Sequence, residues 1–574
     1  MCKRSEMRIR MDDKMRLRGW LAAKNLNISC LGKYKDLGFC YQYDDRLHKF
    51  PQDEVFLSDG ERISFLDGYV YNKSDFICPQ GYNDWQKSFV LSMEQDMAAH
   101  LGKLRGAFCG YFYQKTTGNV TIYTDHVSNK ALYYYVEGDR WIFSDYVEPI
   151  VRVLRANHIP YHFNQTAARY MLTYGYMLDD STFVQEIKRL SPGCYADILQ
   201  GEAAVRQYYS VPHEEEAMSE EEAIERIDRD FRQAIDREFA KDREYGYRHL
   251  VDLSGGLDSR MVTWVAHDMG YTDQVNIAYS KMGYLDNRIS AQVALKLGHE
   301  YLFKPLDDAS WMFDLDEMVL KNNGAALGLA MTGGNQLLRT LNHQMYGIEH
   351  TGMLGDVILS SYYQDEKFSK GAPQYGYNQY STKVQYEFDL KLLEQYQTQE
   401  AFVIATRGLL GMQTSYMVRQ NYVETSSPFM DVDFLKTAFS IPFAYRKGHA
   451  IYLKWMDRKY PGTTEFGWEK WGGVKPKESH ITLRKVKTTQ RLAYGYLCKI
   501  LHRENLDSMN PVDYWYSGNP QIKAHLDGQF EERIDSAVLA KELKDDMSRL
   551  YREGGFTEKQ QVLTVLGLIL LYFD

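Results

Sequence analysis

Over roughly the first 150 residues, apolar and polar positions alternate in short runs bounded by turn residues. Val120 and Ile122 alternate with Thr121 and Tyr123. The runs "ERISFLDGYVYN", "GAFCGYFYQ" and "KALYYYVEGDRWIFSD" are broken by the turn-like strings "TTGN" and "EGDR". A period of two between such breaks predicts antiparallel hairpins. The period then lengthens to that of a helix in "NQTAARYMLTYGYML" and returns to strands on either side of Pro192 and Gly193. In "EEEAIERIDRDFRQAIDREFA", Ile224, Ile227, Phe231 and Ile235 recur at helical spacing, which predicts an amphipathic helix with a solvated charged face. From Arg248 the pattern becomes strand, loop, helix, strand. Leu250, Val251 and Leu253 lead into a glycine loop, and Met261, Val262, Val265, Ala266 and Met269 make a helical stripe ended by Gly270. "QVNIAYS" then reads as a strand, "LDNRISAQVALKLG" as a helix and "EYLFKPL" as a strand. Repeated β–α units predict a parallel sheet with helices on both faces, and ligands of such sheets bind beyond the carboxyl ends of the strands. From about residue 378 the chain reads as mainly helical. Its last apolar run, Val562 to Phe573, predicts a buried terminal helix shorter than the ~20 residues that span a bilayer.

Composition narrows the function classes. A chain of 574 residues predicts two or more domains, because one core usually serves roughly 100 to 200. A formal net charge of -9 argues against the nucleic-acid backbone as main partner and favours small-molecule substrates. The seven cysteines are scattered and make no CxxC pair, which fits a reducing compartment and neither a zinc site nor a disulfide framework. No apolar signal region follows the basic start, so a cytoplasmic location without a membrane partner is expected.

The chemistry concentrates in "LSGGLDSR", Leu253 to Arg260, at one of the predicted strand ends. Gly255 and Gly256 permit backbone conformations in which successive N–H groups point at an anion, and the following helix adds its positive end. Ser254 and Ser259 bring hydroxyl donors for phosphate oxygens. Asp258 brings a hard carboxylate suited to Mg2+ on those oxygens. A pyrophosphate meets all these requirements, whereas the string is neither a Walker A loop nor a G-x-G-x-x-G turn.

This string resembles the pyrophosphate loop of N-type ATP pyrophosphatases, and the chain around it is similar to one branch of them, the asparagine synthetase family. Four further passages carry the resemblance over most of the sequence: "HTGMLGDVILSSYY" with Gly352, Gly355 and Asp356; "VETSSPFMDVDFL" with Glu424, Pro428, Phe429 and Asp431; "YLKWMDRKYP" with Lys454; and "LSPG" with Thr182, Tyr208 and Tyr209. The resemblance implies a class II glutamine amidotransferase-like domain with linker strands over residues 1–210, of α+β, Ntn-hydrolase-like fold. It implies an ATP-pyrophosphatase domain over 211–574, of α/β fold with a parallel sheet (adenine nucleotide alpha hydrolase-like) and a helical C-terminal part. ATP would be held by Leu253, Ser254, Gly255, Gly256, Asp258, Ser259, Gly352 and Gly355, with Mg2+ on Asp258 and Asp356. Lys454 would lie near the reacting phosphate and Glu424 would act as general base. The reaction so implied adenylates a small carboxylate, aspartate first among the candidates. An amide then forms with ammonia or another amine, and AMP and pyrophosphate leave. Peptide cyclisation, amidation of a sugar acid, and nucleotide binding without catalysis stay open as alternatives.

The front half departs from the family. Cys2 would be its nucleophile after loss of Met1, yet "CKRSEMRIRMDDK" is charged where a hydrophobic strand is expected. Asp67 stands where an oxyanion-holding Asn is expected, and a carboxylate there would repel the oxygen it should stabilise. Tyr69 replaces a Glu, while Asp125 keeps the position of the family's aspartate. The expectation is a retained fold with a degenerate glutaminase, and free ammonia or another amine as nitrogen donor. In the second half Val357, Thr425 and Ser426 depart too, and the loss of an arginine after Glu424 removes a bidentate partner for a substrate carboxylate.

Overall fold

The period-two runs of the front half form two antiparallel sheets of six strands each. In the first, Trp20–Lys24 lies between Arg140–Ser144 and Cys40–Tyr43. In the second, Arg62–Val70 pairs along its whole length with Gly106–Gln114, which sets Asp67 opposite Cys109. The computed structural model describes residues 19–29, 35–36, 40–43, 49–76, 84–328, 332–377, 379–501 and 503–574, so Cys2 lies outside the described residues. Cys109, Cys194 and Cys498 are free and buried.

The second half is built on a parallel sheet of five strands in the order Glu300–Pro305, Gln274–Ser280, Arg248–Asp252, Tyr346–His350, Glu424–Ser426. The helix Asp258–Asp268 follows the central strand, and Leu285–Leu297 precedes the edge strand Glu300–Pro305 and ends on Gly298 in the left-handed conformation. The terminal apolar run lies in the helix Phe556–Tyr572, and none of the described helices is long and apolar enough to cross a membrane. The two halves share a core that runs across residue 210, in which Leu21, Ile150 and Met171 pack in one cluster with Val319, Leu566 and Ile569.

The helix Glu220–Tyr245, capped by Ser219 and ended by Gly246, buries Ile224, Ile227, Phe231 and Ile235 as its spacing predicts. Its charged face is solvated along the helix, with Glu225, Arg229, Asp236 and Arg243 exposed, while Glu238, Lys241 and Asp242 near its end are buried on the other side. This helix runs between the front half and the parallel sheet, so its polar residues meet partners from both. Lys241 Nζ pairs with Asp53 at 2.9 Å, and Asp242 Oδ2 lies 2.8 Å from His350 Nε2 and 3.1 Å from His249 Nδ1.

Candidate active site and interdomain ties

The central strand ends at Asp252, and the chain turns through Leu253 to Leu257 into the next helix. Ser254 N–H donates to Ser259 Oγ at 2.9 Å, and Gly256 N–H donates back to Ser254 Oγ at 3.1 Å. Gly255 N–H donates to Asp286 Oδ1 at 2.7 Å. Three loop amides expected to face an anion are therefore bound within the chain, because the two serines and Asp286 close the turn on itself. The buried guanidinium of Arg260 secures the loop from behind, donating to the carbonyls of Gly255 at 3.2 Å, Thr463 at 2.9 Å and Gly467 at 2.6 Å.

The Gly352–Gly355 turn lies directly on this loop. A Cβ on Gly352 would sit 2.3 Å from Ser259 N, and one on Gly355 would sit 2.7 Å from Asp258 Cγ. Only glycine permits that approach. Asp356 N–H consequently donates to Asp258 Oδ2 at 3.0 Å, and the two carboxylates share one rim of the site. Tyr452 OH donates to Asp258 Oδ1 at 2.8 Å, while Lys470 Nζ and His449 Nε2 lie 3.1 and 3.9 Å from Asp356 Oδ2. Burial, and then the neighbouring Asp356 carboxylate, pushes Asp258 up to about 8. Burial also opposes charge on Asp356, but His449 and Lys470 outweigh it and hold that carboxyl low. Two adjacent carboxylates with one left short of positive charge make a fitting hard-oxygen pair for a divalent cation.

The structure brings Leu253, Ser254, Gly255, Gly256, Asp258, Ser259, Gly352, Gly355 and Asp356 together, and leaves two other candidates elsewhere. Lys454 shares its helix with Tyr452, but two residues turn the side chain by about 200°. Its ammonium lies 2.5 Å from Glu220 Oε2. Glu424 is opposite Ile348 on the edge strand, two residues below the carboxyl end of the sheet, and is fully buried. Its two oxygens lie 2.9 and 2.8 Å from Nζ of Lys130, a front-half residue, and the same ammonium is 3.6 Å from Asp67 Oδ2. Asp67 thus shares the Lys130 ammonium with Glu424. Asp125 orders the loop that carries Lys130 by accepting N–H bonds from Val127, Asn129 and Lys130.

A cavity of about 50 Å³ lies beside this tie, lined from the front half by Tyr69, Tyr71 and Asn129 and from the second half by Thr351, Ser426 and Asp431. Asn129 Nδ2 and Tyr69 OH both donate to Thr425 O, at 2.7 and 3.2 Å. Sequence reasoning missed Asp286, Tyr452, His449 and Lys470, which reach the loop from separate parts of the chain. It also missed Lys130, whose partner lies 294 positions away.

Residues 89–209 match the family of the glutamine amidotransferase domain. That stretch of the front half carries a glutamine amidotransferase domain. The matched segment of that domain holds Asp125, Lys130 and the Pro192–Gly193 turn, and it begins beyond Cys2 and Asp67. No curated protein matches the chain. A solved structure described as the allosteric regulatory enzyme of purine biosynthesis aligns at 8% identity with a TM-score of 0.20, over 41% of this chain and 54% of that one. The alignment takes in about half the length of that enzyme.

Proposed function

We propose that the chain is an ATP-dependent amide-forming ligase of the asparagine synthetase type, in which the amidotransferase domain accompanies a carboxylate-adenylating half. The observation that carries this reading is the contact of Asp258 with Asp356 on a serine–glycine loop at the carboxyl end of the central parallel strand, 3.0 Å from amide to carboxylate. Mg2+ held by these two carboxylates would supply the positive charge that polarises ATP for cleavage between its α and β phosphates. The chain's own part is positioning. Ser254 and Ser259 present hydroxyls at the start of the helix, Tyr452 orients Asp258, and Lys470, next to Asp356, offsets charge that builds on the departing pyrophosphate. A carboxylate, aspartate first among candidates, would attack the α-phosphorus, and ammonia or another amine would then displace AMP from the acyl-adenylate.

In this reading Lys470 takes the role expected of Lys454, and Glu424 couples the two halves through Lys130. The test is pyrophosphate release from ATP and Mg2+, with aspartate plus ammonium set beside aspartate plus glutamine and a lane without carboxylate. Aspartate-dependent release that falls by roughly a thousandfold in Asp258→Asn, with an unchanged melting temperature, is expected. Unchanged turnover in that variant would refute the assignment of the loop. Turnover supported by glutamine and lost in Cys2→Ala would show a working glutaminase; ammonium-dependent turnover that survives Cys2→Ala is the expected result.

A further inference from the structure

We propose that the helix Ile481–Ile500 docks the protein peripherally on an anionic lipid surface. The helix has 20 residues, about 30 Å, and carries Arg484, Lys485, Lys487, Arg491 and Lys499 with no acidic residue, in a chain of net charge -9. It is held to the protein by one side only. Arg491 donates to the carbonyls of Glu469 at 2.8 Å and Asp507 at 2.9 Å, the Arg484 guanidinium lies 4.9 Å over the Trp471 ring, and Cys498 is buried.

The side turned away from the protein is the apolar one. At 3.6 residues per turn, Leu483, Val486, Tyr494, Leu497, Ile500 and Leu501 fall within an arc of about 120°, and all are exposed, Leu497 by 54% and Leu501 by 59%. A docked helix of a globular protein ordinarily presents the opposite face, and a contiguous exposed apolar stripe marks an interaction surface. Lys487 lies about 20° beyond one edge of the arc and Lys485 about 60° beyond the other, with the exposed Leu492 and Tyr496 beside Lys485 and with Lys499 further round. Apolar residues edged by lysines on both sides suit a helix lying in the headgroup plane, with apolar side chains in the acyl region and ammonium groups reaching anionic headgroups. Charge also argues against a second copy as occupant, since a two-fold contact would set these lysines against their own copies with no carboxylate on the helix to meet them. Glu469, which receives Arg491, also donates its N–H to Gly255 O at 3.2 Å, so the docking helix lies next to the nucleotide loop.

The test is cosedimentation of the full chain with vesicles of phosphatidylcholine alone and of phosphatidylcholine mixed with phosphatidylglycerol. Binding to the anionic vesicles is expected, on the order of a hundredfold weaker on the neutral ones because three lysines lose their partners, and weakened by salt. The variant V486E/L497E/L501E changes only exposed side chains, keeps the wild-type melting temperature and is expected to stay in the supernatant. Wild type that fails to sediment with anionic vesicles would overturn the proposal, and so would a triple variant that sediments as wild type does. Light scattering that finds a dimer dissolved by the triple variant, with wild type not bound to vesicles, would assign the face to self-association instead.

Discussion

Replacing Lys130 with Met tests whether the two halves are tied through a buried charge. The ammonium is the ion partner of Glu424, whose side chain is 1% exposed, and of Asp67, at 6%. Met keeps the length of the stem and removes the charge, leaving two carboxylates in a site closed to water. Removing one member of a buried pair costs about 3 to 5 kcal/mol, because the remaining charge loses its compensation. Unfolding entropy of roughly 2.1 cal/mol/K per residue gives about 1.2 kcal/mol/K if the 574 residues melt as one unit, so the expected loss is roughly 3 to 4 °C. Differential scanning calorimetry measures this directly, and the shared core predicts a single transition for wild type. The decisive comparison is a cycle with Glu424→Gln. Lys130→Met and Glu424→Gln together should cost less than the two single changes added, by at least about 1 kcal/mol, because the double variant no longer buries the Glu424 charge. Strict additivity, or a Lys130→Met variant that melts within 1 °C of wild type by the ~3 °C scale above, would refute the reasoning.

Two further predictions follow from the geometry. Lys470→Ala should lower the rate of ATP-dependent pyrophosphate release by roughly 10- to 100-fold and Lys454→Ala by less than about threefold, since only the first lies on Asp356; steady-state kinetics that reverse this order would return the role to Lys454. Burial alone would lower the pKa of His350, but the hydrogen bonds its ring donates to Asp242 and Glu238 overcome it and raise the imidazole to about 9. Its protonation therefore stabilises the fold fully below the unfolded value of about 6.5, and that contribution, about 3 kcal/mol, is lost as pH rises through 9. Melting temperatures measured across this window should fall for wild type more steeply than for His350→Gln, and parallel curves would disprove the coupling.

Much of the fold was legible because burial and periodicity agree. "QVNIAYS" is a strand over the residues read as one, and "LDNRISAQVALKLG" is a helix ended by its glycine. The strand Tyr346–His350 was not legible. It sits beside the central strand, yet "YGIEH" carries Glu349 and His350, whose buried partners Arg419, Asp242 and Glu238 come from remote parts of the chain. Hydrophobic patterning cannot mark a strand whose inward side chains are charged. The edge strand Glu424–Ser426 is short and polar for the same reason, since Ser426 Oγ donates to Glu238 Oε1 at 2.6 Å. In the site, glycines and serines close together in sequence announced the loop. Lys470 and His449, exposed or polar positions on separate turns, carried no such signal.

Asp67 shows how one residue changes meaning once its surroundings are known. Read alone, a carboxylate in place of an oxyanion-holding amide argues only for lost chemistry. In the fold, Lys130 lies against it and against Glu424, and Asp125 orders the loop that delivers that lysine. The same loop sends Asn129 to Thr425 O, and Arg105 reaches Asp433 from the same half at 3.0 Å. Bonds of this kind fix register, since each buried charge is tolerable only when its partner is in place. On the proposed reading, the amidotransferase domain therefore acts on the second half mechanically whatever its own chemistry: it holds the edge strand, and through Ser426 and Thr351 the turn that brings Gly352 onto the nucleotide loop. A shift at Lys130 should then reach Asp356, and the Lys130→Met variant should lose rate in pyrophosphate release as well as stability, although Lys130 touches no part of that loop.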